Sequence, residues 1–230
     1  NAIRQLNSYG IHADFVIARS TVPLDSRRKE KLAVQCNVQK ENVISAPDIS
    51  SVYDVPINFE KDQLGEMIAK KLNLKNKKAN LEDWKKFVNK TKNPKSSIKI
   101  AVVGKYFDTG DFVLSDSYLS VIEAIKYSSY YENVKPELTW INSKKYDDNP
   151  KLVKELADFD GVIVPGGFGE SGIEGKMAAI KFVRENKIPY LGLCYGMQLM
   201  TIEYARNVLG IKDANTAEIN PDGKTSITRT

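Results

Sequence analysis

Histidine is almost missing from this sequence: His12 is the only one among 230 residues. Imidazole chemistry therefore has a single candidate, near one end of the chain. Cysteine is nearly as scarce. Cys36 and Cys194 stand far apart and give no disulfide framework of the kind that staples small secreted domains, so a reducing, cytoplasmic setting is expected. No apolar run approaches the ~20 residues that a membrane-crossing helix requires, although 42% of the residues are apolar, as in an ordinary globular protein. No secretory signal opens the chain. Its first residues, Asn1-Ala2-Ile3-Arg4, read as the inside of a helix without an initiator Met.

Charge is unevenly spread. Residues 1–97 carry 18 Lys and Arg against 11 Asp and Glu, whereas residues 98–230 carry 16 against 18. Ten lysines fall between Lys70 and Lys95, around Asn76-Lys77-Lys78-Ala79-Asn80. A basic run invites a nucleic-acid reading. This one has no interleaved exposed aromatics, binding module or glycine-arginine pattern, so a solvated linker is expected and no nucleic-acid partner. The expected division is 1–75, a lysine-rich linker at 76–97, and 98–230.

The first part reads as β-α-β pieces. A helix over Ala2–Tyr9 stops at Gly10, Phe15–Ala18 is a strand, and Asp25 or Ser26 caps a helix to Gln35. Val43–Ser45 is a second strand, and Glu60–Leu72 reads as one amphipathic helix with Leu64, Ile68 and Leu72 in a row. In the linker a short helix from Leu81 to Val88 presents Trp84 and Phe87 for packing. The pieces before residue 73 are too few to bury a core alone, which predicts the tail of a larger domain.

From Ile98 the pattern becomes regular. Strands are expected at Ile98–Gly104, Leu138–Ile141, Phe159–Pro165 and Ile188–Leu193. Helices are expected at Ser117–Tyr127 (capped by Asp116), from Asn149 or Pro150 through Leu156, at Ile173–Asn186 and at Met197–Leu209. Alternating strand and helix implies an α/β fold: parallel sheets with helices on both faces, and ligands at the carboxyl ends of the strands.

Two loops fall at that end. Gly192-Leu193-Cys194-Tyr195-Gly196 joins a strand to a helix in the G-x-C-x-G form of a nucleophile elbow. A Cβ at either glycine would collide with the neighbouring strand and helix, and the cysteine would sit at a helix N-terminus, which favours negative charge on sulfur. The plainer alternative is a buried cysteine beside a turn. Pro165-Gly166-Gly167-Phe168-Gly169 lacks the form and the lysine of a phosphate-binding loop. Beside a nucleophile, its backbone N–H can serve a developing oxyanion together with that of Tyr195. Alone it would pass for a turn; together the two loops suggest acyl transfer through a thioester.

Val164–Gly169, Gly192–Gln198 and Asn215-Thr216-Ala217-Glu218 resemble the glutaminase domain of the CTP synthase family, within the class I glutamine amidotransferases. Val103-Gly104-Lys105-Tyr106 fits the same register. Upstream, Ile17–Ser20, Lys31–Val38 and Ser51–Pro56 resemble the last part of that family's amidoligase domain. The resemblance covers nearly the whole chain. It implies a partial amidoligase domain of P-loop type (1–75), joined by the linker to the first part of a flavodoxin/Rossmann-like glutaminase domain (98–230).

The reaction so implied is phosphorylation of UTP at O4 with ATP and Mg²⁺, with ammonia released from glutamine to give CTP. GTP as activator and a homotetramer are implied likewise. By position Cys194 is the nucleophile, Gly167, Tyr195, Gly196, Met197 and Gln198 line the glutamine and oxyanion site, and Glu218 meets the substrate ammonium. Lys31 matches a contact to the pyrimidine triphosphate, and Arg19, Asp48 and Ile49 match residues around the adenine of ATP. Without the resemblance, Lys31 would read as a solvated helix face.

Two departures stand out. Tyr195 replaces a common Leu, with little effect expected because the N–H does the work. The family's His-x-Glu motif, which supplies the base, is not in the sequence. The loop 107–114 is also longer than in some relatives. The missing motif predicts an internal, inactive segment, and the resemblance implies no metal ligands within it. The alternatives are a non-catalytic, degenerate glutaminase-like binder or redox sensor, and another elbow enzyme in which His12 reaches Cys194.

Overall fold

The computed structural model divides into two units, residues 1–92 and 93–230, and describes residues 1–75, 79–104, 118–167, 172–220 and 225–228. The lysines at 77 and 78, the expected cap at Asp116, the long loop 107–114, and Phe168 and Gly169 lie outside the described residues.

The first unit contains α1 (Ala2–Ser8), β1 (Val16–Ser20), α2 (Ser26–Cys36), β2 (Val43–Pro47), α3 (Val55–Lys61), α4 (Leu64–Lys71) and α5 (Glu82–Lys92). Strands β1 and β2 pair in parallel, from Val16 opposite Val43 to Ser20 opposite Pro47, with α2 as the crossover. The Asp25 carboxylate caps α2 by accepting the Arg28 N–H at 2.8 Å, as the sequence predicts. Asn37, in the left-handed region at φ 54°, ends it.

The single helix expected over 60–72 is two. Asp62 accepts the Ser45 N–H at 2.8 Å and pairs with Lys29 at 2.8 Å. Gln63 turns left-handed at φ 54°. A tertiary anchor on β2 thus overrides an uninterrupted apolar period. Helix α5 runs past Val88 to Lys92. Its Trp84 indole donates to the Tyr53 carbonyl at 2.9 Å, and Lys92 pairs with Asp54 at 2.8 Å. Phe87 meets the Tyr53 ring edge-on at 5.1 Å.

In the second unit β3 (Ser96–Gly104), α6 (Leu119–Tyr131), β4 (Val134–Asn142), α7 (Lys144–Asp148), β5 (Gly161–Val164), α8 (Ile173–Glu185), β6 (Tyr190–Gly192) and α9 (Tyr195–Asn207) precede a small pair, β7 (Asn215–Thr216) and β8 (Ser226–Thr228). The main sheet is parallel, in the order β4-β3-β5-β6. Side chains alternate along β3. Ala101 and Val103 join the core under α8 and α9, with Ile180, Val183, Leu199 and Ile202. Val102 joins a smaller cluster, packed by Ile100, Val121 and Ile125, on the α6 side. Both faces are therefore covered, which explains why all four residues of β5 are buried.

Residues 150–158, expected as a helix, form a 3-10 run. Asn149 caps it by accepting the Lys151 N–H at 3.2 Å. Val153 and Leu156 are three apart, a spacing that suits either winding. Between α8 and α9, Arg184 forks onto the fully buried Glu203 carboxylate with bonds of 2.9 and 2.8 Å.

Candidate active site

The elbow is built from backbone. Leu193 N–H bonds the Val164 carbonyl at 2.9 Å, which extends the β5–β6 ladder by one residue. The chain then reverses at Cys194, whose φ of 51° and ψ of −108° no ordinary helix or strand residue adopts. Such a conformation costs on the order of 1–3 kcal/mol and persists only where the surroundings impose it. The surroundings here are specific. The Gly196 N–H bonds Leu193 O at 2.9 Å, and the Met197 and Gln198 N–H groups converge on Cys194 O at 3.1 and 3.2 Å. A Cβ at Gly192 would stand 2.6 Å from the Met197 nitrogen, and one at Gly196 would overlap the Val164 carbonyl. The two glycines let helix α9 start directly against the end of β5.

The Cys194 side chain is exposed. Gly166 lies against it: a Cβ built there would be 3.3 Å from the cysteine Cβ and 3.7 Å from Sγ. The oxyanion loop and the elbow expected from the sequence therefore meet at the sulfur. Gly167, next in the chain, is half-buried. Tyr195 occupies the first position of α9, and its side chain is buried with the Lys176 ammonium 5.7 Å from the ring centre. Met197 is exposed and Gln198 half-buried in the same turn. Glu218 follows β7, its N–H held by Thr216 Oγ1 at 3.2 Å.

Three residues here have no sequence signature. The Tyr190 hydroxyl donates to the Gly196 carbonyl at 2.8 Å and ties the strand before the elbow to the helix after it. Burial raises its pKa, so the phenol remains a donor. Lys176 underlies Tyr195, and Tyr118 reaches the Gly166 carbonyl. All three act across elements, so no local spacing marks them.

In the first unit, Arg19 and Asp48 form an ion pair at 2.9 Å. They line a cleft of ≈ 580 Å³ with Ile17, Ile49, Val52 and Phe59. The cleft lies at the carboxyl ends of β1 and β2, where open parallel sheets bind ligands. Lys31 is exposed on α2 and does not line it. His12 is also exposed, in the first unit. Among the described residues no group of three or more His, Cys, Asp or Glu side chains is arranged to hold a metal ion, and no helix is long and apolar enough to cross a membrane.

Comparison with known proteins supplies the context. Residues 113–227, half of the chain, match the family described as glutamine amidotransferase class-I, and residues 1–74 match the CTP synthase N-terminus. The CTP synthase of Caldanaerobacter subterraneus subsp. tengcongensis is 44% identical over 96% of this chain and 40% of that protein. Those of Carboxydothermus hydrogenoformans and Sulfolobus acidocaldarius are 43% and 45% identical, over 99% and 97% of this chain and 41% of each relative. The chain thus spans about two fifths of the length of the curated relatives it matches. The solved Trypanosoma brucei CTPS glutaminase domain with bound acivicin aligns with a TM-score of 0.52 at 36% identity, over 57% of this chain and 49% of that one.

Proposed function

The chain belongs to the class-I glutamine amidotransferase family, and from that premise we propose that Cys194 is the nucleophile that releases ammonia from glutamine for CTP synthesis. The observation that carries the proposal is the exposed thiol on a backbone turn at φ 51°, with Gly166 facing it so closely that an added Cβ would stand 3.7 Å from the sulfur. Sγ attacks the amide carbon, and the carbonyl electron pair moves onto oxygen. The N–H groups of Gly167 and Tyr195 receive that oxyanion. Collapse breaks the C–N bond, the thiol proton leaves with the nitrogen as ammonia, and water opens the thioester to glutamate. Met197 and Gln198 line the glutamine site, and Glu218 receives the α-ammonium.

Residues 93–230 contain no histidine, so no histidine among them carries the proton. Residues 1–75 of the first unit are assigned to the amidoligase side, and the lysine-rich stretch 76–97 joins them to the rest of the chain. Its cleft suits the base of ATP: Ile17, Ile49, Val52 and Phe59 offer apolar walls, and Arg19 and Asp48 a polar edge. This stretch is assigned to the adenine site of ATP. Lys31 is assigned to the triphosphate of UTP. GTP activation and a homotetramer complete the proposal.

In the protein expressed from its complete gene, Cys194→Ala should abolish glutamine-driven CTP formation and leave the ammonia-driven reaction intact. Equal loss of both would refute the assignment. An alkylatable Cys194 without glutamine hydrolysis would favour a non-catalytic binder.

A further inference from the structure

The oxyanion loop needs an anchor, because a glycine pair offers no side chain to hold its own peptide. Tyr118, immediately before α6, supplies one. It is 8% exposed, and its ring stacks on Trp140 of β4 with centroids 6.4 Å apart and planes 20° apart. Val102 of β3 buries it from below, with Ile100, Val121 and Ile125 around it. The sheet, and not the loop, therefore sets where the ring lies. From that position the hydroxyl donates to the Gly166 carbonyl at 3.3 Å.

The Gly166 carbonyl and the Gly167 N–H belong to one planar trans peptide, so they point in opposite directions. Fixing the carbonyl on Tyr118 fixes the N–H as well. Gly166 faces Cys194, where a Cβ built on it would stand 3.7 Å from Sγ, so rotation of this peptide would withdraw the donor from the carbon under attack. We infer that Tyr118 is a positioning residue for the oxyanion site, holding the Gly166–Gly167 peptide in the orientation that presents the Gly167 N–H. The inference rests on the glutaminase reading of Cys194.

The test is Tyr118→Phe in the protein expressed from its complete gene, with Cys194→Ala alongside. Phe keeps the ring and its stack on Trp140 and removes only the hydroxyl. The expected result is a fall of about tenfold in kcat for ammonia release from glutamine, with KM unchanged. That is less than the 10²–10³ lost when an oxyanion donor is itself removed. Iodoacetamide should alkylate Cys194 at the unaltered rate, since that displacement forms no oxyanion. An unchanged kcat in Tyr118→Phe, while Cys194→Ala is dead, would overturn the role of Tyr118 and leave the glutaminase reading standing. A parallel loss of kcat and alkylation rate would also overturn it, as general damage to the elbow. Hydrolysis that survives Cys194→Ala would overturn both.

Discussion

The two units hold their candidate sites by different means. In the second unit the site is backbone: a turn at Cys194, two glycines that let α9 start tight against β6 and β5, and a loop glycine that faces the cysteine side chain. In the first unit it is side chains on a surface, with Arg19 and Asp48 retaining 79% and 55% of their side-chain exposure. The cores differ in the same sense. Among the described residues, the clusters around Leu199 and around Val102 lie in the second unit. The first leaves Tyr9, Val34, Val52, Leu72 and Leu74 at least 60% exposed. A backbone site is carried by a well-packed sheet and breaks when a single methyl is added. A side-chain cleft loses ligand affinity long before it loses its fold.

That contrast can be broken most sharply at Gly196. Gly196→Ala places a methyl on the Val164 carbonyl, so the start of α9 must move. The expected cost is about 3 kcal/mol of stability, with a fall of at least about 10²-fold in glutamine hydrolysis as the oxyanion geometry is lost. Thermal denaturation and an ammonia assay on one preparation measure both. A neutral result would mean that the elbow does not depend on close backbone contact.

Arg184→Met probes the packing beneath the elbow helix. It strands the fully buried Glu203 carboxylate, at an expected cost of about 3–5 kcal/mol. Urea denaturation should show the loss in the second unit. A change below ~1 kcal/mol would show that Asn207, 3.2 Å from the same carboxylate, compensates alone.

The smallest expected effect lies in the first unit. The Arg19–Asp48 pair is exposed and contributes at most about 1 kcal/mol to stability. Arg19→Ala should leave the melting temperature and glutamine hydrolysis unchanged. It should weaken ATP about tenfold, the size of one charge-assisted hydrogen bond. Unchanged ATP affinity would remove the cleft from the nucleotide site.

The same contrast decides what could be read from the sequence. The elbow was legible because backbone strain restricts which residues fit: Gly192, Cys194 and Gly196 carry its geometry in their identities. The parallel sheet was legible from strand and helix periods. Arg19, Asp48 and Ile49 were reached only through resemblance, since nothing in their local spacing brings them to one cleft. Asp62 splits a helix that apolar period draws as continuous, because its partners Ser45 and Lys29 lie far back in the chain. Tyr118, Lys176 and Tyr190 escaped for the same reason.

The most direct measurement is of the covalent intermediate. The protein from the complete gene, mixed with glutamine, quenched in acid and digested, should yield a γ-glutamyl thioester on the peptide that carries Cys194, absent from Cys194→Ala. Ammonia released without that adduct, or an adduct on any other residue, would contradict the assignment of Cys194 as the glutaminase nucleophile.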